Sequence, residues 1–254
     1  MKVGTKYWRK ATIVAVLAAM LLILSTAAVS AHNQNTGVYP IDSHPYGKSY
    51  GEWSAKWWQW AFQQKTFDNC PNESGPIWFL AAPTQSKCIV PANTAIMFPT
   101  FNTEWSVVEA DVQGNQTPGQ TCLVPTHPNG TSYAALLACT KAQANNATHS
   151  GAMLEADLDG KNLQSLTDYR AHSTPPPFKF TAISGNLFGV PPGDSHSVAD
   201  GFWIILKPLS PGMHVLHFAA TVYFPKVNPP ATPFKFTTEA NYCLIVQPSN
   251  QTCP

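Results

Sequence analysis

The sequence predicts a mainly β protein, a β-sandwich or jelly-roll-like domain with one aromatic-rich helix near its N-terminus. Three observations favour this fold class. Short apolar runs of strand length alternate with proline and glycine, few helical patterns interrupt them, and 254 residues are enough for one large all-β domain. Only 11% of the residues are charged and the formal net charge is +1, which excludes a basic nucleic-acid-binding protein.

Residues 1–31 are interpreted as a secretory signal peptide, which leaves a single secreted domain over residues 32–254. Four basic residues precede an apolar run over residues 11–24, and small residues follow it up to Ala31. Cleavage removes those four charges and changes the formal net charge from +1 to −3. If cleavage fails, the apolar run would anchor the protein in a membrane, so both interpretations predict a secreted or cell-surface protein. The basic residues are Lys2, Lys6, Arg9 and Lys10.

The first element after the leader is a helix that starts near Ser49. Ser49 and Glu52 have the spacing of a capping box. Four aromatic residues then repeat at helical spacing, and this stripe is predicted to pack against a sheet as part of the core. Trp58 lies off the stripe, so it is the weak candidate for stacking on a sugar ring. The stripe consists of Tyr50, Trp53, Trp57 and Trp60.

Short strands follow, punctuated by proline and glycine. A second, alanine-rich helix is predicted over residues 133–144, within an insertion that covers about 113–147. Asp159-Gly160 predicts a tight hairpin turn, and the turn at 208–212 predicts a hairpin between 201–206 and 213–223. The strands are predicted at 77–81, 88–90, 95–98, 153–158, 169–173, 178–183, 201–206, 213–223 and 234–246.

All the cysteines follow the leader, and their even number in an exported chain indicates disulfides. Their order favours local bridges, although other pairings remain open. These bridges would join Cys70 to Cys88, Cys122 to Cys139, and Cys243 to Cys253. Sequons for N-glycosylation indicate surface positions in an exported protein, although this chain is rich enough in Asn, Ser and Thr for chance matches. They occur at Asn72, Asn115, Asn129, Asn146 and Asn250.

Five segments of the chain form a recognisable set. They read YGEWSAKWWQW from Tyr50, GPIWFL from Gly75, CIVPA from Cys88, ADGFW from Ala199, and PLSPGMHVLHF from Pro208, with Phe98-Pro99 between them. Together they resemble a family of exported prokaryotic proteins without an assigned activity. The resemblance covers Tyr50 to Val246 and implies an exported β-rich fold with a bridge between Cys70 and Cys88. It implies no catalytic residues, and the insertion at 113–147 departs from the family pattern.

Two kinds of metal site are weighed as weak candidates. His32 would become the mature N-terminus, where its amine and ring could bind copper together with a second histidine. Glu155, Asp157 and Asp159 project from one strand face and could bind calcium, although the solvated face of an edge hairpin explains them equally well. His214 and His217 are poor co-ligands because residues three apart on a strand point to opposite faces.

Carboxylates are also considered for hydrolytic chemistry. A glycosidase needs two facing carboxylates, and the candidates are Glu52, Asp194 and Asp200. Capping already explains Glu52, and the consecutive residues Asp194, Ser195 and His196 cannot form a catalytic triad. Arg170 is expected to pair with a buried carboxylate, either Asp168 or Asp200.

The sequence therefore favours an exported, disulfide-bonded and glycosylated module without enzymatic activity. Its role would be structural, by self-assembly in a coat, fibre or envelope layer, or it would bind a glycan or protein of the cell envelope. No cofactor and no nucleic-acid partner are expected. The alternative is an extracellular enzyme, either a carboxylate hydrolase or a copper-dependent oxidase that uses His32.

Overall fold

The computed structural model describes residues 35–66, 70, 75–82, 84–108, 133–148, 151–224 and 234–253. The chain divides into a unit Met1–Thr36 and a unit Gly37–Pro254, and the helices and strands described below belong to the second. Within the described residues, ten strands form two five-stranded sheets. The prediction of a mainly β, sandwich-like fold with an aromatic helix is confirmed.

The two sheets combine strands that are distant in sequence. Sheet A has the strand order β1-β3-β8-β6, with β7 also paired to β8, and sheet B has the order β2-β10-β9-β4-β5. The pairs β1–β3 and β2–β10 are parallel, and the others are antiparallel. The elements are α1 Tyr50–Ala61, β1 Ile77–Phe79, β2 Thr84–Val90, β3 Ala95–Ser106, α2 Tyr133–Asn145, β4 Met153–Leu158, β5 Lys161–Asn162, β6 Arg170–His172, β7 Phe178–Ala182, β8 Gly193–Leu206, β9 Gly212–Phe224 and β10 Phe234–Val246.

Helix α1 and sheet B lie on opposite faces of sheet A. Phe98 of β3 stacks on Phe218 of sheet B with 4.5 Å between ring centroids. Trp203 of β8 contacts Trp57 of α1 at 5.5 Å. Phe98 pairs with Ile204, the neighbour of Trp203, so successive positions of β8 face different layers. The tryptophan segment thus covers the face of sheet A that sheet B leaves free.

The capping box at the start of α1 is present as predicted. The backbone N–H of Glu52 donates to Oγ of Ser49 at 3.3 Å, and the backbone N–H of Ser49 donates to the Glu52 carboxylate at 2.8 Å. The hydroxyl of Ser49 also donates to the Glu52 carboxylate at 2.9 Å, and the hydrogen bonds that this carboxylate accepts from the backbone and the side chain of Ser49 lower the pKa of Glu52. All four residues of the aromatic stripe are at most 7% exposed, which confirms that the stripe belongs to the core.

Replacing Ser49 by alanine is expected to lower the free energy of unfolding by about 1 kcal/mol, because the first turn of α1 loses its cap. The pKa of Glu52 is lowered in the folded state, so the stabilisation by the cap is complete above the unfolded pKa, about 4.3. It is lost as the pH falls through the lower, folded pKa. Urea unfolding of parent and variant across pH 3–7 measures both effects, and the difference between them should shrink in acid.

Lys56→Ala is the control for this measurement, because Lys56 is exposed in the middle of α1 and the two residues have similar helix propensity. Its stability should match that of the parent. Equal losses for Ser49→Ala and Lys56→Ala would contradict the role assigned to the cap.

The predicted hairpin between residues 201–206 and 213–223 is wrong. β8 lies in sheet A, whereas β9 lies in sheet B and pairs with β10. β8 is buried continuously from Ser197 to Leu206, as expected for a strand covered on both faces, whereas β9 alternates between buried and accessible residues. The segment with Pro208 and Pro211 therefore connects the two sheets instead of turning within one.

Two of the predicted disulfides are confirmed. Cys70 is bonded to Cys88 of β2, and Cys243 of β10 is bonded to Cys253, which ties the C-terminal segment to sheet B. Cys139 is also disulfide-bonded, and the predicted partner Cys122 lies outside the described residues. Disulfides in a mostly β fold are compatible with an oxidising, extracellular environment. The described part of the chain contains no helix with the length and apolarity needed to span a bilayer.

Arg170 pairs with Asp200, the second of its two predicted partners. Nε and Nη2 of Arg170 donate to the two carboxylate oxygens of Asp200 at 3.1 and 2.8 Å. Nη1 donates to Oδ1 of Asn145, the last residue of α2, at 2.7 Å. The Asp200 side chain is 1% exposed. Burial and the nearby Asp200 carboxylate raise the pKa of Tyr133 in α2. This ion pair joins α2 to the strands β6 and β8.

Candidate functional site

The edge of sheet A at β3 loses its pairing strand where β1 ends. β1 has three residues and pairs only with residues 95–97 of β3, whereas β3 continues to Ser106 on the side that pairs with β8. A bulge between Pro99 and Phe101 interrupts the register at this point. Proline lacks a backbone N–H, so it is tolerated at an edge without a pairing strand. Among the described strands, none pairs with β3 on the β1 side beyond Met97.

A cavity of about 150 Å³ lies at this open edge, between α1, β3 and β10. Trp57 and Trp58 come from α1, Phe101 from β3, Phe188 from the loop after β7, and Phe236 from β10. None of the described lining residues is charged. The remaining lining residues are Ala82, Pro99, Thr100, Asn102 and Thr238.

The aromatic walls of the cavity contact one another. The ring centroids of Trp58 lie 5.1 Å from those of both Trp57 and Phe188, and Phe101 and Phe236 are 6.0 Å apart. Trp58 is 6% exposed, so it is not available as a flat surface platform. Phe188 is 39% exposed and the other described lining residues are less so. Phe188 therefore marks the mouth of the cavity.

Three residues that line the cavity carry a buried polar atom without a hydrogen-bond partner. These atoms are Nε1 of Trp58, Nδ2 of Asn102 and Oγ1 of Thr238. The first two are donors, and the hydroxyl can donate or accept. Leaving such a group buried and unpaired costs about 1–3 kcal/mol, so buried polar atoms in proteins usually find partners. Trp78 and Trp105 also have unpartnered indole N–H groups, so the clustering of three around one cavity is the informative feature.

Local sequence explains why Asn102 and Phe188 occupy these positions. Gly201 of β8 pairs with Asn102, and a Cβ at Gly201 would lie 2.7 Å from Cα and Cβ of Asn102. Glycine therefore allows the close approach of β3 and β8 at Asn102. Asn186 accepts from the backbone N–H of Phe188 at 3.2 Å and donates to the carbonyl of Val190 at 2.7 Å. These bonds fix the loop that presents Phe188.

The carboxylates considered for hydrolysis have separate partners. Glu52 caps α1, Asp200 pairs with Arg170, and Asp194 accepts a hydrogen bond from the hydroxyl of Thr181. Asp194 and Asp200 both lie on β8, but their partners lie on β7 and β6, and Glu52 lies on α1. The structure therefore provides no observation that favours a facing pair among the three.

The acidic residues considered for calcium are partly used in the turn after β4. Asp157 accepts from the backbone N–H of Gly160, and Asp159 accepts from Val215 and lies 2.7 Å from Nδ1 of His214. In the described residues, no group of three or more His, Cys, Asp or Glu is arranged to hold a metal ion. The described geometry therefore does not support the candidate calcium site at Glu155, Asp157 and Asp159.

His214 and His217 do not converge on one site. Both histidines lie on β9. His214 contacts Asp159, whereas His217 lies 3.3 Å from Glu239 of β10. Their different partners are expected for side chains on opposite faces of the strand. His32, the candidate copper ligand, lies outside the described residues.

Two of the glycosylation sequons fall on described residues and differ in accessibility. Asn250 is exposed. Asn146 is 2% exposed, and its amide nitrogen donates to the carbonyl of Ala142 at 3.3 Å. The side chain of Asn146 is therefore inaccessible to a glycosylating enzyme in the folded protein, whereas that of Asn250 is accessible. The other three, Asn72, Asn115 and Asn129, lie outside the described residues.

A larger and more open groove of about 550 Å³ lies between α1 and the edge of β7. The side chains of Gln59, Gln63, Thr181 and Asp194 in its lining already have hydrogen-bond partners within the protein. Gln59 donates to the carbonyl of Lys179 at 2.7 Å, Gln63 donates to the carbonyl of Thr181, and Thr181 donates to Asp194. The two glutamines thus cover the carbonyl groups of an edge strand. Because these groups are satisfied within the protein, the groove is a weaker candidate than the aromatic cavity.

No family model, curated protein or solved structure matches this chain. The resemblance to exported prokaryotic proteins therefore stays a prediction. The fold and the cavity define a disulfide-bonded, mostly β protein with an aromatic-walled cavity.

Most of the cavity could not be identified from the sequence. Trp58 was the candidate binding residue, but Asn102, Phe188 and Thr238 carried no motif. The available signal was Pro99, a proline inside an apolar run that indicates a bulge or an edge. It gives the position of the irregularity in β3 but not the elements that surround it.

Proposed function

We propose that this protein is an exported binding module, without enzymatic activity, whose aromatic cavity holds a small uncharged organic ligand. The observation that carries the proposal is one cavity with aromatic walls, three of whose lining residues have a buried polar atom without a hydrogen-bond partner. Ligand sites are typically apolar concavities with a few polar groups that fix orientation.

Size and charge support an uncharged ring as the ligand. A cavity of about 150 Å³ with apolar walls is large enough for benzene. The described lining offers no charged partner, and a buried charge without a partner is strongly unfavourable. The three polar atoms favour a ligand with oxygen acceptors over a hydrocarbon.

The export of this module is supported by the predicted leader and by the disulfides of the fold. Disulfides stabilise a folded domain where no reducing system protects thiols. A binding role at the cell surface or in the medium agrees with this compartment, and it also agrees with the exposed Asn250 sequon.

Titration with phenol, a neutral ring with one hydroxyl group, tests the proposal. Calorimetry on the mature, oxidised protein should give saturable binding with one phenol per chain, and the indole N–H resonance of Trp58 should shift in NMR spectra. Ala82→Leu adds bulk to the cavity wall and should abolish the binding. Binding raises the free energy of unfolding by about 2.7 kcal/mol at one hundred times the dissociation constant, which thermal unfolding checks independently.

Ala219→Leu provides the matched control, because Ala219 lies half-buried on the outer face of sheet B. This variant should bind phenol like the parent protein. Absence of binding by the parent, or equal binding by Ala82→Leu, would refute the proposed function.

A further inference from the structure

We infer that the ligand of the cavity is a single neutral pyranose ring, the terminal unit of an uncharged glycan. This inference rests on the proposed function and specifies its ligand class. It follows from the distribution of polar atoms, the character of the walls, the absence of charge among the described lining residues, and the position of the mouth.

The polar atoms of the cavity belong to three different elements. Trp58 lies on α1, Asn102 on β3 and Thr238 on β10. Each of these atoms has less than 1 Å² of accessible area, so a ligand bonds to it only after a side-chain rotation, and a ligand that satisfies all three needs oxygen atoms on several sides of its ring. A pyranose has hydroxyl and ether oxygens around its whole circumference, and each can accept from an indole or amide N–H group. Phenol, with a single oxygen, can satisfy only part of the set.

The aromatic walls suit the faces of such a ring. The face of an aromatic side chain carries the negative part of its quadrupole, so it attracts the weakly positive C–H groups on a pyranose face. Trp58 and Phe188 meet at an interplanar angle of 53° and form two adjoining walls. A ligand beside these two contacting rings can therefore touch aromatic surface on one face and hydrogen-bond at its rim.

The charge and the size of the cavity narrow the class of ligand further. An acidic sugar would bring a carboxylate into a site where no described lining residue is cationic, and such a buried charge would lack a partner. A cavity of about 150 Å³ can hold benzene, so this volume limits the ligand to one six-membered ring. Phe188 is the exposed residue among the described lining, so the rest of a glycan chain leaves the cavity beside it. A cavity with one mouth therefore favours the terminal sugar of a glycan over a sugar within the glycan chain.

Calorimetry with the methyl glycosides of glucose, galactose, mannose and glucuronic acid tests the inference. At least one of the three neutral glycosides should bind, and the glucuronide should bind at least about tenfold more weakly than that glycoside. Trp58→Phe keeps a ring but removes the N–H donor, so it should weaken the binding of the neutral glycoside by about tenfold. Trp78→Phe removes an unpartnered indole N–H outside the cavity and should leave the affinity unchanged.

Thr238→Val supplies a second variant in case Trp58→Phe does not fold, and a loss of affinity by about tenfold is again expected. Binding of phenol without binding of any neutral methyl glycoside would overturn the pyranose inference and leave the proposed function intact. Binding of neither would overturn both. Equal losses for Trp58→Phe and Trp78→Phe would show that the effect does not arise in the cavity and would also overturn the inference.

Discussion

Replacing Arg170 by alanine is expected to lower the free energy of unfolding by about 3–5 kcal/mol, because it leaves a buried carboxylate without its partner. The Asp200 side chain is 1% exposed and receives two hydrogen bonds from the guanidinium group. The same arginine bonds to Asn145 at the end of α2. Urea unfolding at pH 7 measures the loss, and hydrogen exchange should show that the amides of α2 lose protection.

Two further variants separate the buried charge from the loss of packing. Arg170→Lys keeps the positive charge but cannot donate from two nitrogens in a planar fork, so it should recover only part of the stability. The double variant Arg170→Met with Asp200→Leu removes both charges and should recover most of it. A loss below about 1 kcal/mol for Arg170→Ala would place this pair among ordinary surface ion pairs and contradict the buried role.

The sequence predicts elements whose signals are local. The spacing of Ser49 and Glu52 predicted the start of α1, and the aromatic stripe predicted its buried face. Asp159-Gly160 predicted the turn between β4 and β5, where both residues adopt positive φ. Each of these features depends on residues within a few positions of one another, so local geometry and propensity are sufficient.

Strand bounds and strand pairing are harder to predict from the sequence, because they depend on distant partners. The strand predicted from the apolar run 95–98 continues to Ser106, because a bulge accommodates Pro99. β8 starts at Gly193 because β7 pairs with its polar first half, which lacks an apolar pattern. The parallel pairs β1–β3 and β2–β10 have no turn signal, since their strands meet only through the overall topology.

The cavity follows from that topology. Trp58, Asn102 and Thr238 are brought together because β1 is short, β3 bulges beside it, and sheet B presents β10 at the same place. A sequence reading can rank Trp58 as unusual but cannot identify its neighbours. In the structure, Trp58 is buried as one wall of a cavity and is not the surface platform considered from the sequence.

The position of α1 against sheet A therefore sets the shape of the cavity, and Gly51→Ala tests this dependence. Helix propensity alone predicts that alanine stabilises α1 by up to about 1 kcal/mol. However, a Cβ at Gly51 would overlap the backbone carbonyl of His172 in β6, and neither backbone can move freely. We expect the steric effect to dominate and to lower the free energy of unfolding by about 1–3 kcal/mol, the usual cost of overpacking. Urea unfolding measures the sign directly.

A functional readout follows from the same displacement. If the N-terminal turn of α1 moves away from β6, the walls formed by Trp57 and Trp58 move with it, and phenol binding should weaken even in protein that remains folded. Gly75→Ala is the matched control, because its Cβ would meet no atom within 4 Å, and it should change neither stability nor binding. Stabilisation by Gly51→Ala would mean that helix propensity outweighs the contact, and unchanged phenol binding in a destabilised variant would separate the helix position from the cavity.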